Sequence, residues 1–303
     1  MTQIIAAGID LGGTKAEARL FDADWEAVAT ERLPTPDTYD DLLAALVALA
    51  RWADGQTGKP VPLGLGTAGV LHPATRLITA ANLASDGQAL GNDLSLAVER
   101  HVTVLNDCAA LALSEAHFGA GVDADRMLAL VIGTGVSAAT VVNGALQSGF
   151  TGTLGEVGHI AAPAHLVARY DLPLSDACGQ VGAIETLISG PGLTRIGEVV
   201  MGHAMSPEDI VARKGSEDHA AKVWTIWCAL VADLLRTLMR TVDPDCIVLG
   251  GGLSAVQGVA EDLSAALRPL QFNGFPIPQI TIAKGGPTSG ARGAAFAAWQ
   301  ATQ

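Results

Sequence analysis

This 303-residue chain is short of positive charge: 18 Lys and Arg stand against 31 Asp and Glu, a formal net charge of −13. That balance opposes non-specific nucleic-acid binding, which depends on neutralising phosphates with basic side chains. A small anionic ligand must therefore be held by local donors. Cysteine is also sparse. Cys108, Cys178, Cys228 and Cys246 lie far apart with no Cys-x-x-Cys pair, so neither a disulfide framework nor a self-contained zinc ribbon is expected, and a reducing compartment fits. Long apolar runs are missing too. Leu128 to Val142 is too short to span a bilayer and is interrupted by Gly133 and Gly135, so no membrane segment is expected. No basic region precedes the first apolar residues, which argues against a signal peptide and makes a cytoplasmic location the expectation. Aromatic residues are only 4% of the chain; hydrophobic residues are 49% and charged ones 16%. This is an ordinary globular composition, long enough for a sizeable core and two domains.

Glycine, by contrast, is plentiful at 35 residues, and several fall in short motifs. The first is Gly8-Ile9-Asp10-Leu11-Gly12-Gly13-Thr14-Lys15. Ile4 to Gly8 is apolar and partly β-branched, and Ala16 to Phe21 alternates in polarity, so strand, tight turn and strand are expected. Two adjacent glycines let the backbone bring its N–H groups close to an anion, with phosphate the obvious guest. Asp10 is acceptor-only when ionised and would need a cation such as Mg²⁺ between itself and a phosphate. Alone, the same stretch also reads as an ordinary glycine hairpin.

Further along, Val28 to Arg32 reads as a third strand and Pro34-Thr35-Pro36 as a break. Asp40 to Asp54 reads as a helix on Leu42, Leu43, Leu46, Leu49 and Trp52. Gly64-Leu65-Gly66-Thr67-Ala68-Gly69 is formally G-x-G-x-x-G, but Val70-Leu71-His72-Pro73 follows it. A dinucleotide site needs that pattern to open a helix, so a Rossmann site is not expected. Leu94 to His101 reads as a short helix. Val102 to Leu105 reads as a buried strand ending at Asn106-Asp107, before an alanine-rich helix from Cys108 to His117. Polar residues at such strand ends are where α/β proteins carry their chemistry.

Arg126 to Ile132, Gly133-Thr134-Gly135 and Ser137 to Val142 repeat the plan of strand, glycine turn and strand. Two related α/β halves with a cleft between them are therefore expected. The loop Thr151 to His159 carries Glu156 and His159 among its glycines, and Asp176 to Glu185 is a second such loop, with Glu185 opening a helix. Ser206-Pro207 reads as a helix start with a structural role only. Ser216 to Thr241 reads as a long helix with Trp224 and Trp227 in the core. A strand from Asp245 to Leu249 ends in Gly250-Gly251-Gly252, which either offers bare backbone to a base and ribose or simply makes room. Gln279 to Ile282 is the last strand, and Gly285 to Gly290 leads into the last helix.

Taken in order, Asp10-Leu11-Gly12-Gly13-Thr14, Asn106-Asp107, Gly133-Thr134-Gly135, Gly155-Glu156-Val157-Gly158-His159, the run Cys178 to Glu185 and the triple glycine resemble the ROK family of bacterial sugar kinases, within the actin/hexokinase superfamily. The resemblance runs from residue 4 to the last helix. It implies an α/β, actin-like ATPase (ribonuclease H-like) fold, two α/β domains around a central cleft. Residues 1–118 would form the smaller domain, with the C-terminal helix of about 289–303 packing back on it, and residues 119–288 the larger. The implied activity is ATP-dependent transfer of the γ-phosphate to the 6-hydroxyl of a hexose or N-acetylhexosamine, with Asp107 as general base. Asp107 also suits a helix N-cap, and both roles are compatible.

On the matching positions, Asn82, Asn106, Asp107, Glu156, His159 and Glu185 would hold the sugar, since carboxylates and amides suit hydroxyls that donate and accept at once. Asp10 would sit near Mg²⁺, reached through water. Gly12, Gly13, Thr14 and Lys15 with Gly133, Thr134 and Gly135 would lie near the phosphates of ATP, and Gly251 and Gly252 near the adenosine. Glucose, mannose, fructose or their N-acetylamino relatives would suit this set, with N-acetylglucosamine or glucose favoured. A homodimer is also implied.

The chain departs from the family pattern twice. Many members hold a structural zinc with the loop histidine and three cysteines, and those cysteine positions here read Asp176, Cys178 and Ala183. Structural zinc wants four protein ligands, so none is expected, and His159 needs another partner to orient it. Ser137 and Ala138 stand where glycines are common, which would narrow the phosphate approach. The family also includes sugar-responsive transcriptional regulators. These carry a helix-turn-helix ahead of the kinase-like body, where only a few residues precede the first strand here, and the net acidity disfavours DNA. A non-catalytic sugar sensor is the remaining alternative, against which the intact Asn106-Asp107 and the two phosphate turns argue.

Overall fold

The computed structural model describes residues 3–303. The chain forms two compact units. The first takes the residues up to Asp123 together with Val141–Leu154 and Lys284–Gln303, and the second takes Ala124–Thr140 and Gly155–Ala283. Val141–Leu154 thus groups with the first unit, on the other side of the division expected from sequence.

The first unit is built on a five-stranded sheet of order β3-β2-β1-β4-β7. Strands β1 (Ile4–Leu11), β2 (Lys15–Asp22) and β3 (Ala27–Pro34) form an antiparallel meander, while β4 (Leu63–Thr67) and β7 (Val102–Asn106) run parallel to β1. Two short strands, β5 (Val70–Leu71) and β6 (Ile78–Thr79), pair with each other. Helix α1 (Tyr39–Thr57) starts where the Thr38 side chain accepts from Asp41 N–H. It ends at Gly58 in the left-handed conformation, and Leu42, Leu46 and Leu49 are buried along it. Helix α2 spans Leu90–Ala97, four residues earlier than Leu94 alone suggests, because Leu90 and Leu94 one turn apart are both buried.

Helix α3 (Asp107–Phe118) follows β7 directly, and α10 (Ser289–Gln300) packs on α3, β1 and β4. The seat of α10 depends on glycine. A Cβ at Gly8 would collide with the carbonyl of Ala291, one at Gly64 with that of Ala294, and one at Gly293 with that of Ala110. The backbones are therefore nearly in contact. Several of the scarce aromatics gather at the far end of α10, where Trp25 packs edge-on to Phe296 (5.0 Å between ring centroids) and Phe118 stacks on Trp25 (5.3 Å).

In the second unit β8 (Arg126–Ile132) lies between β9 (Val136–Val142) and β13 (Cys246–Gly250), and β14 (Gln279–Ile282) extends the sheet parallel to β13. Strand β10 (Ala145–Leu146) pairs with Val141 and Val142 at the end of β9, all within the segment that groups with the first unit. Helix α4 (Ala164–Tyr170) and the hairpin β11 (Asp176–Ala177)–β12 (Gln180–Val181) precede α5 (Glu185–Ile188), α6 (Gly190–Met201), α7 (Pro207–Arg213), the long α8 (Asp218–Thr241) and α9 (Val259–Leu267). Trp227 is fully buried and donates its indole N–H to Ile188 O, and Trp224 stacks on it, so both belong to the core. Among the described residues no helix is long and apolar enough to cross a membrane.

Candidate functional site

In the first unit Asp10, Asn106 and Asp107 lie at the carboxyl ends of β1 and β7. Asp10 sits beside Gly66 in the sheet register, and α10 begins over it. A Cβ on Gly290 would lie 2.8 Å from the Asp10 carboxyl carbon, so only glycine lets the helix start there. Burial pushes the Asp10 carboxyl up to about 6 from its ordinary 3.8, and the nearby Asp107 carboxylate adds to the rise. Lys15 and Arg19 pull the other way. Two neighbouring carboxylates, one already reluctant to ionise, are a donor set that a divalent cation would satisfy.

The turn after Asp10 is tight. Gly12 N–H donates to Lys15 O at 3.0 Å, and the Thr35 hydroxyl donates to Gly12 O at 2.7 Å. Thr35, between two prolines, therefore braces the turn after Asp10, a role the sequence reading as a mere break does not suggest. Lys15 reaches Glu17, a buried carboxylate that also takes Arg19 and Arg32. Burial works against ionisation of Glu17, but the bonds from Arg19 and Arg32 outweigh it and hold its pKa low.

Asn106 caps α3: its side-chain oxygen accepts from Cys108 N–H at 2.9 Å and its amide donates to Gly69 O at 3.0 Å. Asp107, the first residue of α3, also accepts from Cys108 N–H, at 2.8 Å. Its pKa is raised by burial, in spite of these hydrogen bonds to its charged form. The cap and the polar site residue are thus one dipeptide. Asn82 lies exposed on the loop between β6 and α2, where Asp86 accepts from Ala80 N–H at 3.0 Å.

In the second unit the turn 133–135 joins β8 to β9. Gly133 N–H donates to Gly135 O, and Gly190 N–H, at the start of α6, donates to Gly133 O. Glu185 lies against this turn and accepts from Val136 N–H at 2.6 Å. A Cβ on either Gly135 or Gly158 would come within about 3 Å of the Glu185 carboxylate. One side chain therefore lies against both the turn 133–135 and the loop carrying His159. His159 Nε2 stands 3.9 Å from Glu156 Oε2 across one turn of 3-10 helix. Ala138 is buried in the core with its N–H donating to Gly155 O, so its methyl group packs in the core.

Gly251, at φ +82, packs against the end of β8, where a Cβ would strike the Ile132 backbone. Beside it opens a cleft of about 700 Å³, lined by Gly133, Thr134, Gly252 and, from α6, α7 and the segment before α9, Thr194, Val211 and Val256. Pro207 and Glu208 also line it; the helix start at Ser206-Pro207 shapes a cavity besides capping a helix. Thr194, Val211 and Val256 carry no motif, and only the fold brings them beside Gly133, Thr134 and Gly252. Each unit thus brings together its own share of the expected residues.

The ROK family model matches residues 6–301. The chain is 36% identical over 295 residues to an N-acetyl-D-glucosamine kinase of Pectobacterium atrosepticum, with 95% of this chain and 97% of the relative covered. It is 33% identical over 292 residues to an N-acetylgalactosamine kinase of Shewanella sp. strain ANA-3, with 95% of each covered. Among solved structures, a ROK hexokinase from Thermus thermophilus superposes with a TM-score of 0.86 at 28% identity over 98% of both chains. A ROK glucokinase from Streptomyces griseus in complex with glucose and AMPPNP gives 0.77 at 25% identity, covering 98% of this chain and 99% of its own. With its α/β sheets, both glycine turns and near-complete coverage by these relatives, the chain belongs to the ROK family.

Proposed function

We propose that the protein is an ATP-dependent sugar kinase that transfers the γ-phosphoryl group to the 6-hydroxyl of a hexose or N-acetylhexosamine, N-acetylglucosamine before glucose. The observation that carries this reading is Asp107, fixed at the head of α3 by Asn106 and Cys108 with its carboxyl held above the usual range. Such a group accepts a proton from a hydroxyl more readily than an ordinary exposed carboxylate. The 6-hydroxyl oxygen attacks the γ-phosphorus in line while its proton passes to an Asp107 oxygen and ADP leaves. The backbone N–H groups of the turns after Asp10 and Ile132 meet the phosphate charge, because phosphoryl transfer depends mainly on positioning and charge stabilisation. A divalent cation, Mg²⁺ in this reading, would be held by Asp10 through water and would neutralise phosphate charge.

Glu156, His159 and Glu185 supply acceptors and a donor for the sugar hydroxyls, and the 700 Å³ cleft beside Gly252 has the size and apolar lining that an adenosine needs. Neither unit alone carries the whole set. A coupled ADP-release screen over N-acetylglucosamine, N-acetylgalactosamine, N-acetylmannosamine, glucose, mannose and fructose tests the substrate. D107N should lower kcat on the best sugar by about 10²–10⁴-fold with sugar affinity nearly unchanged. Turnover within tenfold of the parent would remove Asp107 as the base.

A further inference from the structure

Residues 160–162 and 182–184 lie side by side, with Ala162 N–H donating to Gly182 O and Ile184 N–H to Ile160 O, both at 2.8 Å. His159 is the first residue beyond this short ladder. Its carbonyl accepts from the Gln180 side-chain amide at 2.6 Å. Gln180 belongs to β12, and the hairpin that carries it closes on its own bonds. Cys178 and Gly179, at φ +51 and +82, form its two-residue turn, and Asp176 Oδ1 accepts from Gly179 N–H at 3.0 Å. Positive φ at both central residues is the turn whose twist matches a two-residue hairpin.

The positions that the family resemblance assigns to zinc are His159, Asp176, Cys178 and Ala183. Ala183 has no donor atom and is fully buried, and Asp176 is engaged in the turn. Among the described residues no group of three or more His, Cys, Asp and Glu is placed to hold a metal ion. This donor set does not fit a tetrahedral structural zinc.

We propose that Gln180 braces in this chain the residue that the family's zinc holds elsewhere, fixing the backbone of His159 and with it the place from which the imidazole projects. The proposal rests on the reading of His159 as a sugar ligand. On the other side of His159 the chain is already clamped, since a Cβ on Gly158 would meet Val136 O at 2.5 Å. A bond to the His159 carbonyl then fixes the remaining freedom of its peptide plane. Gln180 is a positioning residue: it acts through His159 and touches no substrate itself. Because the bond is solvent-exposed, its loss should weaken sugar binding roughly five- to tenfold without unfolding the unit.

The test uses the full chain purified in zinc-supplemented medium and dialysed. Metal analysis should give well under one zinc per chain, and a chelator should leave sugar affinity unchanged. Q180A should raise the sugar KM by that five- to tenfold, with kcat and the KM for ATP within about twofold and an unchanged melting midpoint. Q180E, isosteric but without the donor when ionised, should weaken sugar binding at pH 8 at least as much. Its deficit relative to the parent should shrink as pH falls through the carboxyl range, where a protonated Glu can donate again. Hydrogen exchange should quicken at residues 159–161 in both variants. Stoichiometric zinc, or unchanged sugar affinity in Q180A and Q180E with an active parent, would overturn the brace. A parent that phosphorylates no sugar would overturn the kinase reading instead, while hydrogen exchange still decides whether Gln180 holds the loop.

Discussion

At the scale of single residues, the site is held at a cost in stability. Burial and Asp107 raise the Asp10 carboxyl from 3.8 to about 6, so the folded state binds that proton more tightly than the unfolded chain does. The stabilisation this brings is complete below about pH 3.8 and is lost as pH rises through 6, so at pH 8 the ionised Asp10 is a burden on the fold. D10N should accordingly stabilise the metal-free protein at pH 8, by an amount on the order of 2–3 kcal/mol at most, seen as a higher melting temperature. The gain should fade below pH 6 and vanish near pH 4, and phosphoryl transfer should collapse. A melt series in the absence of divalent cations checks the sign, and a D10N protein less stable than its parent at pH 8 would remove the strain. The motifs around Asp10, Asp107 and Glu185 were legible in the sequence because each is local. Gly290, Thr35 and Gly190 were not, because what makes them matter is a contact with a residue distant in sequence: Gly290 touches Asp10, Thr35 bonds Gly12, and Gly190 bonds Gly133.

Among the elements, α10 and α3 show how a carboxylate can organise a junction without touching chemistry. Glu115 of α3 is fully buried and accepts from Ala120 N–H, Lys284 N–H, Gly285 N–H and the Ser289 hydroxyl, all between 2.8 and 2.9 Å. Burial disfavours its charge, yet these four bonds more than offset that and hold its pKa below the ordinary value. The resulting stability is present above the usual carboxylate range and is lost as pH falls through the lowered pKa. E115A strands four donors and should cost about 3–5 kcal/mol. E115Q keeps the shape but puts an amide donor where only donors point, and should cost about 1–3 kcal/mol. Urea titrations at pH 7 check both, and the gap between parent and E115Q should narrow towards pH 4. Sequence periodicity found α1, α3, α8 and four of the five strands of the first sheet, since burial on one face leaves a repeat; β4 was read only as a glycine motif, because Gly64 and Gly66 leave no alternation of side chains to read. Periodicity placed α2 four residues late because Leu90 follows a loop without a cap, and nothing in the sequence around Glu115 signals four distant partners.

For the molecule as a whole, the net charge of −13 sets the terms on which an anionic nucleotide arrives. Summed over the surface, that charge opposes the approach of ATP, while the donors that would grip it are local: backbone N–H groups at the turns 12–14 and 133–135, with Lys15 beside the first. Long-range repulsion and short-range attraction respond differently to salt. Raising ionic strength from 0.01 to 0.15 M shortens the screening length from about 30 Å to about 8 Å, which removes the distant field and spares contacts within hydrogen-bond reach. The value of kcat/KM for ATP should therefore stay level or rise up to about threefold over that range, with the sugar saturating and free divalent cation held constant. A basic phosphate-binding surface would give the opposite result, a steep fall. Should kcat/KM drop by tenfold or more, the cationic group Lys15, Arg19 and Arg32 around Glu17 would have to be steering the nucleotide against the overall charge, and K15A should then abolish the salt dependence.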